Sequence, residues 1–207
     1  MSRAVRFALA AACLAALCLT LPVRPAAAEG ADVRADAIAN MMDAGDKVIE
    51  LAGAVPAAKW SWRPSKGVRS TGEVYLHVAQ GNYMLGMLLG AKPPVSMAEL
   101  QSMDTTPRTP AATIELIQRS YQFVREAIES VPPDQLSDTV EFFGRPMSKQ
   151  AVLLAAAAHS HEHLGQSIAY ARMNGVVPPW TAREQAAAKK ADAGKKSGGG
   201  MEHGHQH

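Results

Sequence analysis

The chain has 207 residues, 47% of them hydrophobic and 19% charged, with a formal net charge of +2 and two cysteines. That length suits one domain with extra segments at its ends. The weak positive charge is poor support for a nucleic-acid partner, because no stretch interleaves bases with aromatics as a single-strand binder needs.

The first segment precedes the fold. Arg3 and Arg6 lead into the apolar run "FALAAACLAALCLTL", and Ala26 and Ala28 are spaced as in an A-x-A cleavage site. The pattern predicts a secretory signal peptide over residues 1–28, with an apolar run too short for a full membrane span. Leu17 before Cys18 argues against lipid attachment there. Cleavage after Ala28 removes Cys13, Cys18 and three arginines, leaving 18 bases against 19 acids. The mature chain then has no disulfide, no thiolate nucleophile and no thiolate ligand. It is expected in the periplasm, secreted across the inner membrane, with no stable membrane span after cleavage.

Four long helices are predicted next. The first runs from about Ala31 to Val55, with Val33, Ala37, Met41, Val48 and Leu51 near helical spacing, and Pro56 stops it. "PAAKWSWRPSKGVRS" reads as a loop. Ser70 or Thr71 caps the second helix and Glu73 suits its first turn. Val74, His77, Val78, Gly81, Met84, Leu85 and Leu88 share one face of it. A linker with a short helix at "SMAELQSM" leads to Pro110, which opens the third helix; its face is Ile114, Ile117, Tyr121, Val124 and Ile128. "DTVEFFGRPMS" alone looks extended, with a turn at Gly144. Ser148 caps the fourth helix, which ends at Asn174 and Gly175. Its inward stripe is Val152, Ala156, His159, His163, Gln166, Tyr170 and Met173. The expected fold class is therefore all-α: a four-helix bundle with long connecting loops, over residues 29–180. Residues 181–207, rich in Lys, Gly and His, read as a disordered tail.

"HSHEHLGQ" carries three histidines in five positions. His159 and His163 stand one turn apart on one face, a spacing that lets both imidazoles reach one ion. His161 lies about 200° round the helix from each and cannot share that ion. Two imidazoles alone also suit ordinary packing. His77 sits on the apolar face of the second helix, where an isolated imidazole needs its nitrogens satisfied. Three histidines on two inward faces point to one metal between the helices. The zinc-protease motif is absent, since Gly165 stands where its second histidine belongs.

"WSWRPSKGVRSTGEVYLHVAQGNYML" and "HSHEHLGQSIAYARMNGVVPPW" resemble the two signature parts of the DinB-like (YfiT-like) superfamily, across about residues 31–180. The first is a Trp/Pro-rich loop followed by S-x-x-E-x-x-x-H. The second is H-x-x-x-H with a Gly-Gln pair and an R-x-x-G-x-x-P-P exit. The resemblance implies a four-helix bundle whose three histidines, here His77, His159 and His163, bind one divalent ion, zinc or nickel. It also implies an activity among thiol-dependent S-transferases, a maleylpyruvate isomerase type and metal-dependent hydrolases. Export weakens the thiol-transferase branch, whose thiols are cytosolic.

Three protein ligands leave an open position on the ion. Glu73, one turn before His77, is the candidate catalytic carboxylate, although a first-turn carboxylate also stabilises a helix start. Gln166, one turn after His163, is the candidate hydrogen-bond partner that would orient that ring behind the ion. The substrate is an unidentified small molecule, no nucleic acid is expected, and a homodimer is left open. Set against a metal-dependent hydrolase or transferase is a non-catalytic metal-handling protein of the envelope, whose tail histidines His203, His205 and His207 collect ions. A scaffold held together by its metal is the third reading.

Overall fold

The computed structural model describes residues 32–198, so the expected signal peptide and the tail histidines lie outside the described residues. Side-chain caps set where the helices begin. Asp32 accepts from Arg34 N–H at the start of α1, Val33–Ala54. Ser70 opens α2, Thr71–Leu88, with a complete capping box: its hydroxyl accepts from Glu73 N–H while Glu73 accepts from Ser70 N–H. Ser96 caps the short α3, Met97–Ser102. Thr109, followed by Pro110 in the first turn, caps α4, Pro110–Ser130. Ser148 caps α5, Lys149–Met173. Each such cap satisfies an otherwise unpaired helix N–H and contributes about 1 kcal/mol. Gly175, at φ 75°, follows α5 in the left-handed conformation that closes many helices.

The four long helices form a bundle in which α1 packs on α5 and α2 on α4, with further contacts between α2 and α5 and between α1 and α4. Helices consecutive in the chain, α1 with α2 and α4 with α5, therefore stand diagonally across the bundle. The α1–α2 and α4–α5 connections cross a diagonal, a step that no tight turn can make. The core is filled by Met41, Val48 and Leu51 of α1, Tyr75 and Tyr83 of α2, Ile117 and Tyr121 of α4, and Leu153 of α5. The extended stretch forms an antiparallel hairpin of β1, Thr139–Phe142, and β2, Arg145–Ser148, turning at Phe143 and Gly144. No helix of the described residues is long and apolar enough to cross a membrane.

Three expectations need correction. Residues 181–198, expected as part of a disordered tail, are helical, since α6 runs over Pro179–Gly198, while 199–207 lie outside the described residues. Alanine, lysine and glutamate are strong helix formers even without a face to bury, and Arg183 anchors the helix by pairing with Glu50 of α1. The inward face of α5 is broader than the expected stripe: Val152, Ala156, His163 and Tyr170 are buried as expected, Ser160, Leu164, Ser167 and Ala171 are buried beside them, and Met173 is exposed. The alanine run gives that helix no polar side to mark the width of that face. On α2, Tyr75, Ala79, Asn82 and Tyr83 are fully buried, while Met84 and Leu88 are partly buried and line an apolar groove with the hairpin. Two packing neighbours bury a broader arc than one stripe.

Where α1 meets α4, Gly45 leaves no room for a side chain: a Cβ there would lie 2.8 Å from the Tyr121 ring, which is itself buried. Gly53 on the same helix faces open space. Gly45→Ala is expected to cost about 1–3 kcal/mol by overpacking, and Gly53→Ala to be neutral or to stabilise by up to about 1 kcal/mol. Urea denaturation of the two variants checks the pair.

Candidate metal centre

The capping box at Ser70 fixes the first turn of α2, and His77 follows on its second turn. His159 and His163 stand one turn apart on α5, where α5 crosses α2. The three rings meet there edge to face, with centroids 5.4 Å apart for His77–His159, 4.8 Å for His77–His163 and 4.5 Å for His159–His163. One ligand nitrogen from each lies within 4.8 Å of the others, and this is the one such cluster of three among the described residues. His161 points away, exposed, with Nε2 bonded to Asn40 Oδ1 at 2.8 Å. The helical period thus divides the histidines of "HSHEH" into two that converge and one that does not.

The approach of the two helices depends on Gly81. A Cβ at this position would lie 2.3 Å from the His159 ring, so any side chain would displace that imidazole. His163 is buried; His77 and His159 are half-buried. Burial, then the neighbouring His163, His77 and Arg69, pushes His159 down to about 3. Burial, followed by Arg69 and His163, also lowers His77. Both rings therefore favour the neutral form, which is the form that ligates metals. Buried, and without any hydrogen-bond partner, His159 Nδ1 is the kind of polar atom that an interior rarely leaves unsatisfied. Three converging imidazoles, two of them with an Nδ1 that has no partner, fit a borderline divalent ion such as zinc, nickel, copper or iron.

Gln166 lies against His163. Its Oε1 lies 2.8 Å from His163 Nδ1, and its Nε2 donates to the Tyr170 hydroxyl at 3.2 Å. An N–H at Nδ1 donating to this amide oxygen leaves Nε2 of His163 as the ligand atom. Glu73 is differently employed. Its Oε2 accepts from Ser70 N–H at 2.7 Å and its Oε1 from Arg63 at 2.9 Å. Burial raises its pKa, but these bonds prevail and hold the carboxyl below its usual range. Both oxygens are thus committed to closing the helix start and fastening the preceding loop.

That loop is ordered by its tryptophans. Trp60 Nε1 donates to Val55 O at 3.1 Å, and Thr71 N–H to Trp62 O at 2.9 Å. The Trp62 ring meets Tyr170 edge-on at 5.3 Å. Beside the histidines lies a cleft of about 540 Å³, lined by Gly67, Val68, Arg69, Glu73, Asp104, Thr105, Gln166 and Tyr170. Two of these abut the trio, Gln166 at His163 and Asp104 near His77. Asp104, Thr105 and Tyr170 were not singled out from sequence. Tyr170 lies on the expected inward stripe, but no spacing marks the two linker residues. Asn82, a polar residue near the same face, is fully buried and donates to Ser120 Oγ, so it serves the helix contact.

Residues 42–167 match the family described as the DinB superfamily. No curated protein matches the chain in sequence. Among solved structures, a DinB-like protein from Bacillus cereus ATCC 10987 aligns with TM-score 0.60 at 19% identity, over 69% of this chain and 93% of that one. YfiT from Bacillus subtilis, described as "a probable metal-dependent hydrolase with an unusual four-helix bundle topology", aligns with TM-score 0.56 at 14% identity, over 70% and 89%. The mycothiol-dependent maleylpyruvate isomerase aligns with TM-score 0.52 at 18% identity, over 63% of this chain and 59% of that one. At these identities the likeness is one of fold.

The histidine pKa values give the metal-free protein a defined acid response. His159 is held near 3 when folded, against about 6.5 unfolded. Above the unfolded value both states are neutral and nothing is lost. As pH falls below it, the unfolded chain binds a proton that the folded chain refuses, and stability declines toward the folded value. The carboxyls held low, such as Glu73, add to the loss only at lower pH. The urea midpoint of metal-free protein is expected to fall between about pH 7 and about pH 5, and to fall less in His159→Gln. Equal slopes for the two would contradict the assignment.

Proposed function

The chain belongs to the DinB superfamily, and on that footing we propose that it is an exported, metal-dependent enzyme of hydrolase or transferase type. It acts on a small molecule that enters the cleft beside His77, His159 and His163. The observation that carries this reading is the convergence of three imidazole nitrogens between α2 and α5, beside a cleft whose lining residues Gln166 and Asp104 stand against His163 and His77. The description of the YfiT neighbour as a probable metal-dependent hydrolase agrees with it. Zinc or nickel is the proposed ion. Three protein donors rather than four are the hallmark of a site with an exchangeable position, which argues against a purely structural ion. The signal-like residues 1–28 support a periplasmic location.

An ion bound there would supply Lewis acidity at the cleft. The protein's own groups do the rest. Gln166 holds the His163 ring in one orientation through Nδ1. The Tyr170 hydroxyl, receiving from Gln166, reaches the cleft wall beside Trp62. Arg69, which gives Nε and Nη2 to Asp104, keeps Nη1 as a hydrogen-bond donor along the same wall, suited to a polar substrate.

Elemental analysis tests the site, on a chain with His203, His205 and His207 changed to alanine and with no metal added. About one equivalent of zinc or nickel is expected, falling to a small fraction in His159→Ala, because removal of one of three ligands abolishes tight binding. Stoichiometric metal then justifies a screen of hydrolysable esters and amides beside thiol-transfer substrates. No metal in the parent chain would defeat the enzyme reading. Metal lost with the tail histidines and not with His159 would favour an ion-collecting protein instead.

A further inference from the structure

Asp104 is a carboxylate with no part in the proposal above. It stands in the connection between α3 and α4, directly after Met103, which is fully buried and ties that connection to the bundle. Its side chain is only 16% exposed. Oδ2 accepts from Arg69 twice, from Nε at 3.3 Å and Nη2 at 3.0 Å. The same oxygen lies 3.8 Å from His77 Nδ1, which is buried and has no hydrogen-bond partner. The separation exceeds a hydrogen bond by about 1 Å, within the reach of a small side-chain rotation.

An imidazole that ligates through one nitrogen carries its proton on the other, and that N–H requires an acceptor. His163 has Gln166 for this purpose. For His77 the other nearby carboxylate is Glu73, one turn earlier on the same helix, but its oxygens are engaged by Ser70 and Arg63. We propose that Asp104 is the positioning residue for His77: its carboxylate accepts from Nδ1–H and turns Nε2 toward the shared centre, while Arg69 holds the carboxylate in place. The inference rests on the metal reading of the trio. It makes the two helices unlike in their support, with a neutral amide behind His163 and an anion behind His77. A carboxylate partner raises the basicity of its imidazole more than an amide does. Arg69 restores the local charge balance and links the loop before α2 to the same centre.

The test is a zinc titration against a competing chromophoric chelator, using the chain with His203, His205 and His207 changed to alanine, beside Asp104→Ala and Asp104→Asn made in it. Thermal unfolding is followed with and without zinc. Asp104→Ala is expected to weaken zinc binding about 10–100-fold. Asp104→Asn, which keeps an acceptor oxygen without the charge, is expected to fall between. The rise in Tm on adding zinc should shrink in both variants while their metal-free Tm changes much less. A merely structural carboxylate would lower Tm equally with and without zinc, and that result would overturn the proposal. So would zinc affinity in Asp104→Asn and Asp104→Ala equal to the parent's. A parent that binds no zinc would remove the metal reading itself, which separates that failure from an error about Asp104 alone. Should the alanine variant not fold, the near-isosteric asparagine variant carries the comparison.

Discussion

Three imidazoles packed against one another between two helices are the constraint that the local structure serves. Each ring has two nitrogens, and a buried nitrogen left unpaired costs about 1–3 kcal/mol. The bundle meets this demand unevenly. Gln166 satisfies His163, whereas the Nδ1 atoms of His77 and His159 have no partner. Protonation would not relieve the strain, because burial and the neighbouring rings and Arg69 all act against a charge on His159. A hydrophobic contact of the same size would be easier to build, so an interior that keeps three such rings is organised around what they can bind.

The surrounding features follow from bringing α2 and α5 together at that height. Gly81 admits the His159 ring against the α2 backbone. The capping box at Ser70 sets the register of α2, and the same Glu73 that completes it grips the preceding loop through Arg63. Trp62 then lays that loop against Tyr170 of α5, closing one side of the cleft. The catalytic-looking carboxylate of the sequence is thus the fastener that lets the loop and helix form a wall.

Legibility in the sequence followed periodicity. The pairing of His159 with His163 and the outward turn of His161 are consequences of 3.6 residues per turn, so they could be read before any tertiary information. Gln166 was readable for the same reason. His77 was readable because an imidazole in an apolar face demands an explanation. Asp104 was not, since its place depends on how Met103 and Leu100 dock a linker, and linkers have no period. The width of the buried face of α5 was hidden: "LLAAAA" is apolar all round, and nothing in it marks Ser160 and Ser167 as buried beside the stripe. The helical character of α6 was missed because a buried face was demanded where backbone propensity and one ion pair suffice.

Because His77 belongs to α2 and the other two histidines to α5, the site has no local chain segment that could hold an ion alone. The two helices are joined only through α3, the whole of α4 and the hairpin. An ion seated between them would act as a rivet through the bundle, and α2 and α5 could part only by surrendering a ligand. The residence time of the ion and the lifetime of local opening at that helix pair then become one kinetic quantity, so slow metal exchange and slow exchange of the backbone amides at the crossing are two readings of the same clock.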